Sequence, residues 1–91
     1  MQVVLHTPAA WFLLQHDEAL YLDVNCTLSF TSLSLLIELN AEEGARYRAE
    51  CRTFIEQLAD DISLRPRAYY ARNNEALADE VSAAVQRWRG A

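Results

Sequence analysis

Residues 19–26 alternate strictly. Leu20, Leu22, Val24 and Cys26 fall on one side of an extended chain, and Tyr21, Asp23 and Asn25 on the other. A period of two predicts a strand with one packed face and one wetter face. The run before it, residues 11–15, is apolar on both sides, with Trp11 and Leu13 opposed to Phe12 and Leu14. His16, Asp17 and Glu18 lie between the two runs and read as a polar turn, so the pair predicts a hairpin. A strand apolar on both sides needs cover on both sides. Either another layer of the chain supplies it or a second copy does. Trp11, Phe12, Leu13 and Leu14 are therefore candidate interface residues, and a homodimer is the expectation.

A third strand follows. Leu33, Leu35, Ile37 and Leu39 share one face, and Ser32, Ser34, Leu36 and Glu38 the other. Its Thr/Ser-rich entry, 27–32, holds no Gly or Pro, which favours a wide connection over a tight two-residue turn. A loop, a bulge or an early piece of strand all remain open there. Val3 to Leu5 is a candidate fourth strand at the edge, ended by Pro8.

At Asn40 the period changes. Tyr47, Cys51, Phe54, Ile55, Leu58 and Ile62 recur at helical spacing, and Asn40 with Glu43 has the spacing of a capping box. One helix is predicted from Asn40 to Leu64, since Pro66 drives Arg65 out of the helical region. Gly44 costs about 1 kcal/mol there relative to Ala, which the packed stripe absorbs. A second helix is predicted over 75–88, capped by Asn73 or Asn74 and lined by Leu77, Val81, Ala84, Val85 and Trp88. Strands followed by helices argue an α+β class. The reading is one domain over residues 1–91. A three-stranded antiparallel meander, with a candidate fourth strand, is followed by two α-helices packed on one face.

Composition adds two constraints. A share of 52 % apolar residues argues against disorder and exceeds what a thin 91-residue core hides with ease, which again favours an interface. The charge is asymmetric. Residues 1–45 carry six acids and no Lys or Arg, whereas 46–91 carry eight arginines and seven acids. The net charge of −5 disfavours nucleic acid and anionic membrane as partners. The absence of lysine suggests a GC-rich, bacterial coding sequence. The N-terminus lacks the charge pattern of a signal peptide and is too short to span a bilayer, so a cytoplasmic protein with free thiols at Cys26 and Cys51 is expected.

The chemistry-bearing residues are sparse. Two cysteines without a CxxC and two histidines, His6 and His16, give no metal-ligand spacing, and no cofactor is implied. His16 beside Asp17 and Glu18 could be an oriented base, but all three fall in a solvated turn. Cys51 lies within the apolar stripe and is expected to be buried. With Gly44 and Gly90 the only glycines, no phosphate-cradling loop can form. No catalytic residue is assigned.

One stretch stands out. "RPRAYYARNN", residues 65–74, gathers three arginines and two tyrosines with no acid. If extended, Arg67 and Tyr69 face one way and Tyr70 and Arg72 the other. It is either a connector whose arginines pair with nearby acids such as Asp60 and Asp61, or a surface. As a surface, Arg65, Arg67, Tyr69, Tyr70 and Arg72 would serve a partner protein. Alternatively, they would converge with the last helix's N-terminus on a small anion. The function expected is a non-catalytic protein-interaction module acting as a homodimer, with binding of a small anionic ligand as the alternative.

Overall fold

The computed structural model describes residues 1–8, 10–28 and 31–90, the side chains of 27, 28 and 31–33 excepted. Four strands, β1 (Gln2–Thr7), β2 (Trp11–His16), β3 (Ala19–Leu28) and β4 (Thr31–Glu38), form an antiparallel meander in sequence order. Helices α1 (Ala41–Glu50) and α2 (Arg52–Leu64) follow. A 3₁₀ segment, Pro66–Arg72, and a short 3₁₀ turn, Glu75–Leu77, lead into α3 (Ala78–Gly90). The α+β class and the meander order are as the alternation implied, and the edge strand at the N-terminus is present and longer than Val3 to Leu5.

The hairpin turn narrows to Asp17 and Glu18, because β2 and β3 pair out to His16 opposite Ala19. Asp17 takes a left-handed φ of 55°, which Asp tolerates better than most residues. β3 and β4 stay paired out to Leu28 opposite Thr31, so strand occupies most of the stretch expected as a wide connection. The link itself, 29–30, lies outside the described residues.

The last helix departs from expectation. Trp11, Leu13, Leu22, Val24, Leu35 and Ile37 pack on one side of the sheet against Phe54, Ile55, Leu58 and Ile62 of α2. Leu14, Tyr21 and Leu36 point to the other side and pack with Val81 and Ala84 of α3. The helices therefore sandwich the sheet rather than share a face. The apolar pattern of β2 contains the reason, since a strand apolar on both sides is a strand with a layer on each.

The same sandwich supplies the cover that the β2 pattern called for. Trp11, Leu13 and Leu14 are buried within the chain, and Phe12 is half-buried against α3 and the ring of Trp88. The two-sided cover of β2 thus comes from the chain's own helices α2 and α3.

The predicted long helix is broken at Cys51, which adopts φ 54° and ψ −131°, a conformation that side chains rarely take. Cys51 is exposed rather than buried. The stripe is dense only from Phe54 onward, and α1 contains no buried residue. Of the apolar α1 side chains, Tyr47 is the one packed, half-buried, against that core. Cys26 is buried on the β3 face, as the alternation implied, and burial pushes its thiol pKa up.

The edge strand β1 is held from both layers. Arg52 of α2 donates to the backbone carbonyl of His6 (3.0 Å) and to Thr7 Oγ1 (2.7 Å). Arg87 of α3 donates to the carbonyl of Met1 (3.1 Å). The register shifts between Val3 and Leu5, leaving Val4 exposed at an irregularity. Carbonyls already engaged, and a shifted register, blunt an edge that would otherwise template another strand.

Candidate functional site

The stretch 65–74 is neither extended nor a plain connector. Pro66 starts a 3₁₀ segment, and three residues per turn sort its side chains into rows. Pro66, Tyr69 and Arg72 form the inward row: Pro66 is buried, the other two half-buried. Arg67 and Tyr70 form an outward row, and Ala68 and Ala71 a third. An extended chain would have set Tyr69 and Arg72 on opposite faces. Period three sets them on the same one, with the Arg72 guanidinium 5.8 Å from the Tyr69 ring centroid.

Two acidic anchors fix the inward row. Tyr69 donates its hydroxyl to Asp61 on α2, and Arg65 grips the same carboxylate through Nε (2.9 Å) and Nη2 (2.6 and 2.8 Å). These hydrogen bonds, that from Tyr69 foremost, hold the Asp61 pKa below the usual carboxylate range. In turn, burial and the Asp61 carboxylate push the Tyr69 phenol up to about 12.

The second anchor is Glu43. It completes the capping box of α1, with Asn40 Oδ1 accepting from Glu43 N (2.8 Å) and Glu43 Oε1 accepting from Asn40 N (2.9 Å). Arg72 Nη2 donates to the same Oε1 (2.6 Å), Nη1 to Oε2 (3.1 Å), and Nη2 also to the carbonyl of Glu38 (2.9 Å). Burial works to raise the Glu43 pKa, but the hydrogen bonds from Arg72 and Asn40 outweigh it and hold the pKa down. Arg72 thus ties a helix start, a strand end and the 3₁₀ segment together.

Next the chain seals the edge of β4. Asn73 Oδ1 accepts from Leu36 N (2.9 Å), and Asn74 N donates to the carbonyl of Leu36 (2.8 Å). Asn73 and Asn74 thus serve the sheet rather than cap the last helix by a side chain.

The five candidate residues therefore separate. Arg65 and Arg72 are committed to Asp61 and Glu43, and Tyr69 is committed to Asp61. The arginines do not converge on the start of α3, where the cleft is lined instead by Asn73, Asn74 and Glu75. A cleft of about 350 Å³ does lie beside Tyr69, but Glu42, Glu43 and Asp61 line it with Arg46. Three carboxylates around one guanidinium do not attract an anion. Arg67 and Tyr70 remain, exposed, and no hydrogen bond or ion pair engages either one among the described residues.

Leu64, three residues before Arg67 and the last of α2, is 82 % exposed and so the most exposed large apolar side chain described. It follows Ile62 by two residues, about 200° round the helix from the buried stripe. That offset was visible in the sequence and marks Leu64 as a residue the core does not use.

Elsewhere the chemistry is quiet. His16 Nε2 lies 3.9 Å from Asp17 in the exposed turn. Among the described residues no group of His, Cys, Asp and Glu could hold a metal ion, and no helix is long and apolar enough to cross a membrane. No protein-family model matches the chain, and no significant similarity links it to a curated protein or to a solved structure.

Proposed function

We propose that this chain is a non-catalytic protein-interaction module that contacts its partner through Leu64, Arg67 and Tyr70. The observation that supports this reading is the division of labour within 64–72. Arg65, Tyr69 and Arg72 are anchored on Asp61 and Glu43, and that rigidity presents Arg67 and Tyr70 outward beside an exposed leucine. An apolar side chain, an aromatic ring and an uncommitted guanidinium are the residue types that dominate binding energy at protein interfaces. Held on the last turn of α2 and on the 3₁₀ segment that follows it, they lose little entropy on docking. The partner is a protein surface with an apolar pocket edged by carboxylates, which complement Arg67. The chain works in the cytoplasm, where Cys26 and Cys51 stay as thiols.

A homodimer remains a form this module could take, but the apolar β2 residues that suggested it are enclosed by α2 and α3. The test is capture from the native host. A purified partner that binds the wild-type chain saturably should bind Tyr70→Ala and Leu64→Ala at least tenfold more weakly, with unchanged melting temperatures. Equal binding by the double variant would sink the reading. Sedimentation equilibrium at micromolar concentration decides whether the partner is a second copy. Melting-temperature shifts with phosphate, nucleotides and carboxylates test the anion alternative, which gains only if a shift disappears in Arg67→Ala.

A further inference from the structure

A second place in the fold carries a carboxylate, that of Asp23, for which no hydrogen-bond or ion-pair partner is found among the described residues. α3 crosses the sheet on the side of Leu14, Tyr21 and Leu36, and leaves a trough over β3 and β4. Asp23 lies on its floor, opposite Phe12 of β2 and Leu36 of β4 in register. Two clefts meet there, one of about 250 Å³ towards Glu75 and Ser82 and one of about 110 Å³ towards Arg89, and both are lined by Asp23 and Ser34. Among the described residues no hydrogen bond or ion pair reaches the Asp23 carboxylate, and burial pushes its pKa up. A half-buried carboxylate without a partner costs stability, and such groups in clefts mark binding sites more often than chance.

The lining says what would satisfy it. On the larger side the polar groups are Asp23, Ser34, Asn73, Asn74, Glu75 and Ser82, with the Asn73 amide donating to Glu75 over a long 3.4 Å, and the apolar wall includes Leu36 and Val81. Carboxylates, hydroxyls and an amide oxygen accept hydrogen bonds, and the aliphatic wall suits a methylene chain. Arg89 occupies the other side, so a cation is drawn to the larger one. Glu75 with Asp79 and Glu80 in the first turn of α3 offsets the positive end of the helix dipole. The volume is below that of a drug-sized pocket.

We propose that this trough binds a small aliphatic amine, with an ammonium group on Asp23, the methylene chain along Leu36 and Val81, and, in a diamine, the second ammonium towards Glu75. The same ammonium could belong to a free diamine or to a lysine side chain, and the test separates the two.

The probe is putrescine, titrated calorimetrically into the full chain at neutral pH and low salt. Saturable one-to-one binding is expected, with none for 1,4-butanediol or succinate, which keep the chain length and change the charge. Asp23→Asn should weaken binding at least tenfold. Asp79→Asn, an equal loss of charge on an exposed position, should change it less than twofold. Ser82→Arg, which fills the trough from an exposed helix position, should abolish binding and serves as the second variant if Asp23→Asn perturbs the fold. Nα-acetyl-lysine amide binding as tightly as putrescine assigns the site to a lysine side chain; weaker binding assigns it to a free diamine. No saturable binding of putrescine, or binding indifferent to Asp23→Asn and Ser82→Arg, overturns the proposal.

Discussion

The two faces of the sheet are built from the same four strands and behave as different materials. The face towards α2 is dry. Leu13, Leu22, Ile37, Ile55 and Ile62 are fully buried there, each contributing about 1.5–3 kcal/mol. The face towards α3 is mixed. Leu14, Tyr21 and Leu36 are covered, but of α3 only Val81 and Ala84 are buried, and Asp23, Asn25 and Ser34 continue the same side of the sheet. One face supplies most of the apolar burial and the other supplies chemistry. The face towards α3 cannot be wholly dry, because the polar positions of the β3 and β4 alternation, Asp23, Asn25 and Ser34, point there.

Cutting each core shows the difference most directly. Ile55→Ala should lose about 2–5 kcal/mol in urea unfolding, and Val81→Ala about 1–2 kcal/mol. Equal losses would break the comparison. The anchors of the 3₁₀ segment come next. Arg72→Met strips Glu43 of a half-buried partner and should cost about 1–2 kcal/mol. Tyr69→Phe, which takes a hydrogen bond from Asp61, should cost about 1 kcal/mol.

Acid should act with opposite sign on the two sides. Asp61 and Glu43, on the α2 side, have depressed pKa values, so their stabilisation is present at neutral pH and is lost as pH falls through the folded-state value. Asp23, on the α3 side, has a raised pKa. Its folded state binds the proton more readily, so its cost is present at neutral pH and is relieved as pH falls. Asp23→Asn should therefore melt higher than wild type at pH 7, with the gap closing towards pH 4. Asp61→Asn should melt lower at pH 7, with its gap closing over the acid range. Tyr69 sharpens the alkaline end. With its phenol pushed up to about 12, the stability it contributes should fade only as pH rises above about 10, and Tyr69→Phe should flatten that fall.

How much of this was legible follows from what each pattern measures. Alternation measures which side of a strand is apolar, and it located the meander, its faces and the burial of Cys26. It also held the key to the sandwich, since β2 is apolar on both sides, but it does not say whether the second cover is a helix of the same chain or another copy. Helical spacing found α2 and α3, yet the break at Cys51 has no Gly or Pro to announce it, and it arises where the apolar stripe thins to Tyr47. The inward row of the 3₁₀ segment follows a period of three, and with only seven residues that period does not stand out from a period of two. That Arg65 would meet Asp61 was within reach, four residues apart in sequence. That Arg72 would meet Glu43 was not, because that pair depends on how the chain folds back over β4. Asp23 looked like an ordinary residue on a wetter strand face, and only the path of α3 encloses it.

Arg52 and Arg87 reach the ends of β1 from opposite layers. The carbonyls they engage are that of His6 within β1 and that of Met1 just before it. At the other margin, Asn73 and Asn74 occupy the amide and carbonyl of Leu36. A molecule meeting this domain at either place finds the main chain already spoken for. An extended segment laid along these margins would find those main-chain groups taken and would meet side chains there instead.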